Sequence, residues 1–218
     1  MSPRGAGVGR STQTSVDRSS RIAAYLVQHH AVDALVVACN TATAMAIDDL
    51  RLAYPHLPIV GVEPALKTAA QMSRSGHIGV LATRGTLDSA RFAQLRSRVE
   101  ASAPSVQFSC QPCDGLADAI ERGDANTTQL LCQRYLQAVQ TRQDPSTPID
   151  TLVLGCTHYP FAADVLSQLC GPGIMLVETG LPVARRTRAV LGLDAADPRG
   201  DVAHPRLQLL CTGDPAAL

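Results

Sequence analysis

The chain has 218 residues, 45% of them apolar but only 3% aromatic, with no tryptophan and a formal net charge of zero. A core built from Leu, Val, Ile and Ala points to a parallel α/β fold over a small β-barrel, and the length suits one large or two small domains. Balanced charge without a dense Lys/Arg cluster excludes a nucleic-acid groove and an anionic membrane surface as expected partners, which leaves a small-molecule ligand.

No apolar stretch approaches the roughly 20 residues of a membrane span, and the N-terminus lacks the apolar centre of a secretory signal. A cytoplasmic protein is expected, and its seven cysteines, an odd number, fit reduced thiols better than a disulfide framework.

Residues 1–15, rich in Gly, Ser, Thr and Arg, read as a flexible arm. Helical spacing of Ile22, Ala23, Tyr25, Leu26 and Val27 predicts a helix over 17–30. A strand over 35–38, a helix over 42–54 and a strand over 59–62 then make a βαβ unit, with Pro55 and Pro58 as breakers. Glu63-Pro64 is expected to open a helix, followed by a strand at 78–82, a polar turn at Thr83-Arg-Gly-Thr86 and a helix over 87–101.

Alternation continues with a strand at 106–110, helices near 116–122 and 127–140, and a strand at 151–154. A helix from Pro160 to about Cys170, a strand at 174–177 and a helix at 182–191 come next. Residues 194–205 read as a surface connection, and 207–211 as a last strand. Strict alternation predicts α/β architecture with mainly parallel sheets and right-handed crossovers.

One pattern occurs twice. Asp33-Ala-Leu-Val-Val-Ala-Cys39-Asn-Thr41 and Asp150-Thr-Leu-Val-Leu-Gly-Cys156-Thr-His158 each run from an apolar strand into a cysteine and two polar residues. This echo predicts two similar three-layer lobes. Each cysteine falls at the C-terminal end of its strand, the edge of an open α/β sheet where ligands bind, and a following helix N-terminus favours thiolate. Two thiols facing one another are a two-base proton-transfer site: one takes a proton from carbon and the other returns one to the opposite face. Asn40, Thr41, Thr43, Thr157 and His158 are placed to hold a carboxylate, and His158 can shuttle a proton to Cys156.

Each residue alone has a plainer reading. A free cysteine usually packs as a small apolar side chain, His158 could bond a helix end, and Asn40 and Thr41 could be caps. Cys110-Gln-Pro-Cys113 has the spacing of a redox or zinc pair, yet no second close pair of ligands follows, so no metal is expected.

Ala38-Cys-Asn-Thr-Ala-Thr43, Gly61-Val-Glu-Pro-Ala65, Ile78-Gly-Val-Leu-Ala-Thr-Arg-Gly-Thr86 and Leu154-Gly-Cys-Thr-His-Tyr-Pro160 together resemble glutamate racemase, of the aspartate/glutamate racemase superfamily. The resemblance covers about residues 16–192. It implies cofactor-independent interconversion of L- and D-glutamate, supplying D-glutamate for peptidoglycan, in the cleft between two α/β lobes. One lobe would hold residues 16–63 and 173–218 and the other 64–172, with a homodimer as the expected assembly.

By that resemblance Cys39 and Cys156 are the catalytic cysteines, the first taking the proton from the D-isomer and the second from the L-isomer. His158 and Glu121 assist, while Asn40, Thr41, Thr83, Thr157, His158 and Gly9 contact substrate. Glu121 equally reads as an exposed helix charge. Family members open with an apolar strand ending in Asp-Ser-Gly, which nothing here matches. Gly7-Val-Gly9 keeps only the last residue of a Pro-Tyr-Gly segment. An inactive or weakened binding protein of the same fold is therefore the alternative. Relatives acting on aspartate or hydantoins, and a metal hydrolase built on Cys156 and His158, fit the motifs less well.

Overall fold

The computed structural model describes residues 12–141, 148–193 and 207–213. In chain order these form α1 (Thr12–His30), β1 (Leu35–Val37), α2 (Asn40–Ala53), β2 (Ile59–Gly61), α3 (Leu66–Met72), β3 (His77–Ala82), α4 (Arg84–Leu87) and α5 (Ala90–Ser102). They continue with β4 (Gln107–Pro112), α6 (Leu116–Glu121), α7 (Ala125–Gln140), β5 (Thr151–Gly155), a 3-10 turn (Tyr159–Ala162), α8 (Ala163–Cys170), β6 (Met175–Val177) and α9 (Gly180–Val190).

Two parallel sheets result, β1-β2 and β4-β3-β5-β6. In the larger sheet every residue of β5 is buried, which is why its sequence is an unbroken apolar run and not an alternation. The pleat sends Leu152 and Leu154 into one core with Leu116, Leu136 and Leu166 from the helices on that face. Val153 points the other way, into a second core with Ile78, Val80, Leu66 and Phe92. The smaller sheet lays Leu35 and Ile59 on Ala23, Ala46, Ile47 and Leu50 of α1 and α2. On its other face Val36 is 44% exposed.

Several boundaries differ from the sequence expectation. Helix α1 starts at Thr12, taking in residues 12–15 that composition assigned to the arm; Gln13 donates to Asp17 one turn on at 2.8 Å, a local bond that composition does not reveal. The expected helix at Glu63-Pro64 begins only at Leu66, whose side chain is fully buried.

The helix expected from 87 to 101 starts only at Ala90, capped by Ser89, which accepts from Phe92 N, and the polar turn expected at Thr83-Arg-Gly-Thr86 is itself the one-turn helix α4, capped by Thr83, which accepts from Thr86 N. Met175–Val177, placed by the sequence reading with the first lobe, pair with β5, so the chain crosses to the smaller sheet only afterwards, where α9 packs on β2. Residues 207–211 form no strand: Leu207, Leu209 and Leu210 are 83%, 60% and 46% exposed, and Arg18 of α1 holds the following Thr212 at 3.0 Å. The connection expected at 194–205 lies outside the described residues.

Candidate active site

Cys39 follows β1 and caps α2. Its Sγ accepts from Ala42 N at 3.5 Å and its carbonyl accepts from Thr43 N at 2.9 Å, so an exposed thiol sits at a helix N-terminus. Asn40 occupies the first helical position. It is 3% exposed, and neither its amide nitrogen nor its carbonyl oxygen has a partner in the protein. An unsatisfied buried amide costs about 1–3 kcal/mol, so Asn40 is a polar group open to a water or a ligand.

Thr41 is the next residue, and it reaches the other sheet. Its hydroxyl lies 2.8 Å from that of Thr83 and 3.2 Å from that of Thr86, while Thr83 and Thr86 are 2.9 Å apart. Three hydroxyls thus close a ring joining the starts of α2 and α4. Gly85 permits the approach, since a Cβ there would lie 3.2 Å from Thr41 Cγ2 and from Met45 Cε.

Cys156 ends β5 after Gly155, whose missing side chain lets the strand end approach β3; a Cβ at 155 would meet Leu81 O at 2.9 Å and Ala82 Cβ at 3.0 Å. The Cys156 thiol is buried, and burial pushes it up from 9.0 to about 11, against a smaller opposing pull from the backbone N–H groups of His158 and Tyr159. Negative charge on neighbouring Cys39 adds to the rise. This corrects the expectation of a helix-activated thiolate at Cys156: beyond it the chain makes a tight turn and a 3-10 segment, and desolvation outweighs the N–H groups there.

The sequence-derived acid/base partners do converge on Cys156. His158 Nδ1 lies 3.8 Å from Cys156 Sγ, and His158 Nε2 lies 3.9 Å from Glu121 Oε2 at the end of α6. Glu121, His158 and Cys156 therefore form a file leading from solvent to a buried sulfur. Thr157 Oγ1 donates to Ala38 O at 3.3 Å, which ties the residue after Cys156 to the residue before Cys39. The two cysteines flank this bridge between the sheets. A pair of thiols so placed can exchange protons with one carbon from two sides.

Thr43 does not belong with the carboxylate-facing groups: its hydroxyl donates to Val37 O and accepts from Val62 N, fastening α2 to both strands of its own sheet. Gly9 lies outside the described residues. In the Cys110/Cys113 pair, Cys113 is buried, donates to Gln111 O at 3.3 Å and is raised far above the usual thiol range by burial. Among the described residues no cluster of three His, Cys, Asp or Glu could hold a metal ion. The buried hydroxyl of Thr86 is the member that sequence reasoning passed over; its only signal was the i, i+3 spacing from Thr83, which puts both on one side of a helical turn.

The sequence profile described as Asp/Glu/Hydantoin racemase matches residues 1–187. The chain belongs to this family. Among curated members of the racemase family, the glutamate racemase of Pseudomonas paraeruginosa is 45% identical over 192 residues, covering 87% of this chain and 69% of that one. That of Stutzerimonas stutzeri is 44% identical over 201 residues, covering 91% and 72%.

Solved racemases share the two-lobe fold. Escherichia coli glutamate racemase, crystallised with L-glutamate and the activator UDP-MurNAc-Ala, superposes with a TM-score of 0.75 at 31% identity, covering 88% of this chain and 72% of that one. Thermus thermophilus glutamate racemase with β-chloro-D-alanine gives 0.72 at 27% identity, covering 98% and 76%. No helix among the described residues is long and apolar enough to cross a membrane.

Proposed function

We propose that this racemase-family chain is a cytoplasmic glutamate racemase that interconverts L- and D-glutamate with Cys39 and Cys156 as its two bases, supplying D-glutamate for peptidoglycan. One observation carries the reading: two cysteines from separate sheets lie either side of the Thr157–Ala38 bridge, one capping a helix and the other served by His158 and Glu121.

Division of labour follows from the environments. Cys39, exposed at the N-terminus of α2, is the base that takes the α-proton of D-glutamate. Cys156, whose thiol is raised to about 11, holds its proton at neutral pH and delivers it to the opposite face. In the reverse direction Cys156 must first lose that proton, and His158, backed by Glu121, is the group within reach to take it. Asn40, Thr41, Thr83 and Thr157 supply the polar groups for the substrate carboxylates, with the unpartnered Asn40 amide the readiest of them. The Pseudomonas, Stutzerimonas, Escherichia and Thermus relatives are all enzymes, so the binding-only alternative gains no support over turnover.

Incubation with D- or L-glutamate in deuterated water tests the reading. Racemisation from either enantiomer with α-deuterium in the product is expected. Binding of glutamate without α-exchange would overturn it.

A further inference from the structure

Arg91 sits at the second position of α5, where a cation opposes the helix dipole. It is compensated from two directions. Its Nε donates to Glu63 Oε1 at 2.7 Å, and its Nη1 donates to the Asp48 carboxylate, 3.2 Å from Oδ1 and 3.3 Å from Oδ2. Asp48 lies on α2, and Glu63 follows β2 where the chain leaves the smaller sheet. One guanidinium from the larger sheet's layer therefore clasps two segments of the smaller one. It does so on the rim of a shallow open depression lined by Asn40, Thr43, Val62, Thr86 and Phe92 among others.

We propose that Arg91 is a positioning residue that fixes the angle of α2, and with it the aim of Cys39 across the gap toward Cys156. The inference rests on the two-base reading of Cys39 and Cys156. Near its N-terminus α2 is held by the Thr41–Thr83–Thr86 hydroxyl ring. Asp48 is seven residues further on, about 10 Å along the axis at 1.5 Å per residue. The Thr157–Ala38 bond also crosses the interface, but at this same end of the helix. A rod held only at one end can swing, whereas a rod held also seven residues on cannot. Without the clasp the ring and that bond act together as a pivot, and small swings change how squarely Cys39 Sγ faces a carbon presented to Cys156. Transfers between two bases are sensitive on that scale, since misplacement by about 1 Å can cost on the order of a hundredfold.

Asp48 is 79% exposed, so its arm of the clasp adds little to global stability and is open to screening by salt, while the Glu63 arm is more shielded. That separates a positioning role from a structural one. When the opposite thiol is badly aimed, the carbanion left by proton removal is recaptured on the face it came from, and exchange with retention rises relative to inversion.

The experiment compares wild type with Arg91→Gln and Arg91→Lys in deuterated water, measuring α-deuterium in recovered substrate against product. The expected result for Arg91→Gln is a kcat lower by roughly tenfold with a several-fold higher ratio of retention to inversion. Arg91→Lys should fall between, because it keeps the charge and loses the fork. Raising salt toward 1 M should move wild type toward the Arg91→Gln ratio and leave that variant unchanged. If Arg91→Gln does not fold, the double variant Asp48→Asn with Glu63→Gln must show the same change. An unaltered ratio with kcat within twofold of wild type overturns the clasp alone. Absence of any α-exchange in wild type overturns the racemase reading and the clasp with it.

Discussion

Thr157 and Ala38, 119 residues apart in the chain, are joined by a hydroxyl-to-carbonyl hydrogen bond of 3.3 Å. Each is the immediate neighbour of a cysteine, so this one contact brings two strand ends from different sheets to a common gap. The proposed proton transfer to both faces of one carbon depends on that gap.

Replacing either Cys39 or Cys156 by serine should lower racemisation by roughly 10²–10⁴-fold, the usual worth of a positioned acid or base. L- and D-glutamate have equal free energy, so kcat/KM must fall equally in both directions whichever cysteine is lost. Circular dichroism from each enantiomer in turn checks both statements.

Cys39 and Cys156 should also differ in reactivity. Iodoacetamide at pH 7 should modify exposed Cys39 well before Cys156, which is buried and holds its proton to about pH 11. Peptide mass spectrometry over a time course reads the order. Faster labelling of Cys156 would contradict the assigned environments.

Alkaline pH should unfold the protein earlier than carboxylate chemistry alone suggests. Burial raises Cys132, Cys156 and Cys170 from 9.0 to about 11 each, so between those values the folded state holds protons that the unfolded state has released. Stability from these groups is complete below pH 9 and is lost as pH rises through 11. Tm should decline steadily over that window, and Cys132→Ala should make the decline shallower.

Asp150 offers the opposite case. Partial burial alone would raise its carboxyl, but hydrogen bonds from Ser73 Oγ, Ser75 N, Thr151 Oγ1 and Arg74 N overcome this and bring it from 3.8 to about 2. Its contribution is complete above pH 4 and disappears as pH falls through 2. Asp150→Asn should cost on the order of 2 kcal/mol at pH 7, roughly 4–8 °C in Tm for a chain of this length. The same variant should weaken the acid dependence below pH 4.

At Gly155 even one methyl group is too many. Gly155→Ala forces Leu81 O or the strand end to yield, and should destabilise by about 1–3 kcal/mol while displacing Cys156 enough to depress kcat. Thermal unfolding and steady-state kinetics on one preparation test both effects.

Local features were the ones legible in the sequence. The apolar run before Cys156 needed no neighbour to announce a doubly covered strand, and the helical pattern after Cys39 announced α2, although the cap read as Asn40 or Thr41 is Cys39 itself. His158 was legible from its place two residues after Cys156, whereas Glu121 was legible as a site residue only through resemblance to a family, since no spacing rule links positions so far apart.

Contacts between elements stayed hidden. Nothing in Met175-Leu-Val177 says which sheet a three-residue strand will join, because its backbone bonds suit either edge. Likewise Arg91 reads as an ordinary surface charge until folding brings Asp48 and Glu63 to it. The start of α1 was obscured by polar residues whose composition suits a coil and whose i, i+4 bond does not.

Strand β5 is enclosed on both sides, whereas β1 leaves Val36 to solvent. Opening free energies track such enclosure, so amide exchange should be slowest at 151–155 and faster by orders of magnitude at 35–37. On the proposed reading, the reaction centre would pair one stiff half with one compliant half, and accommodation to an incoming amino acid would fall to the side that carries Cys39, with Cys156 as the fixed anvil.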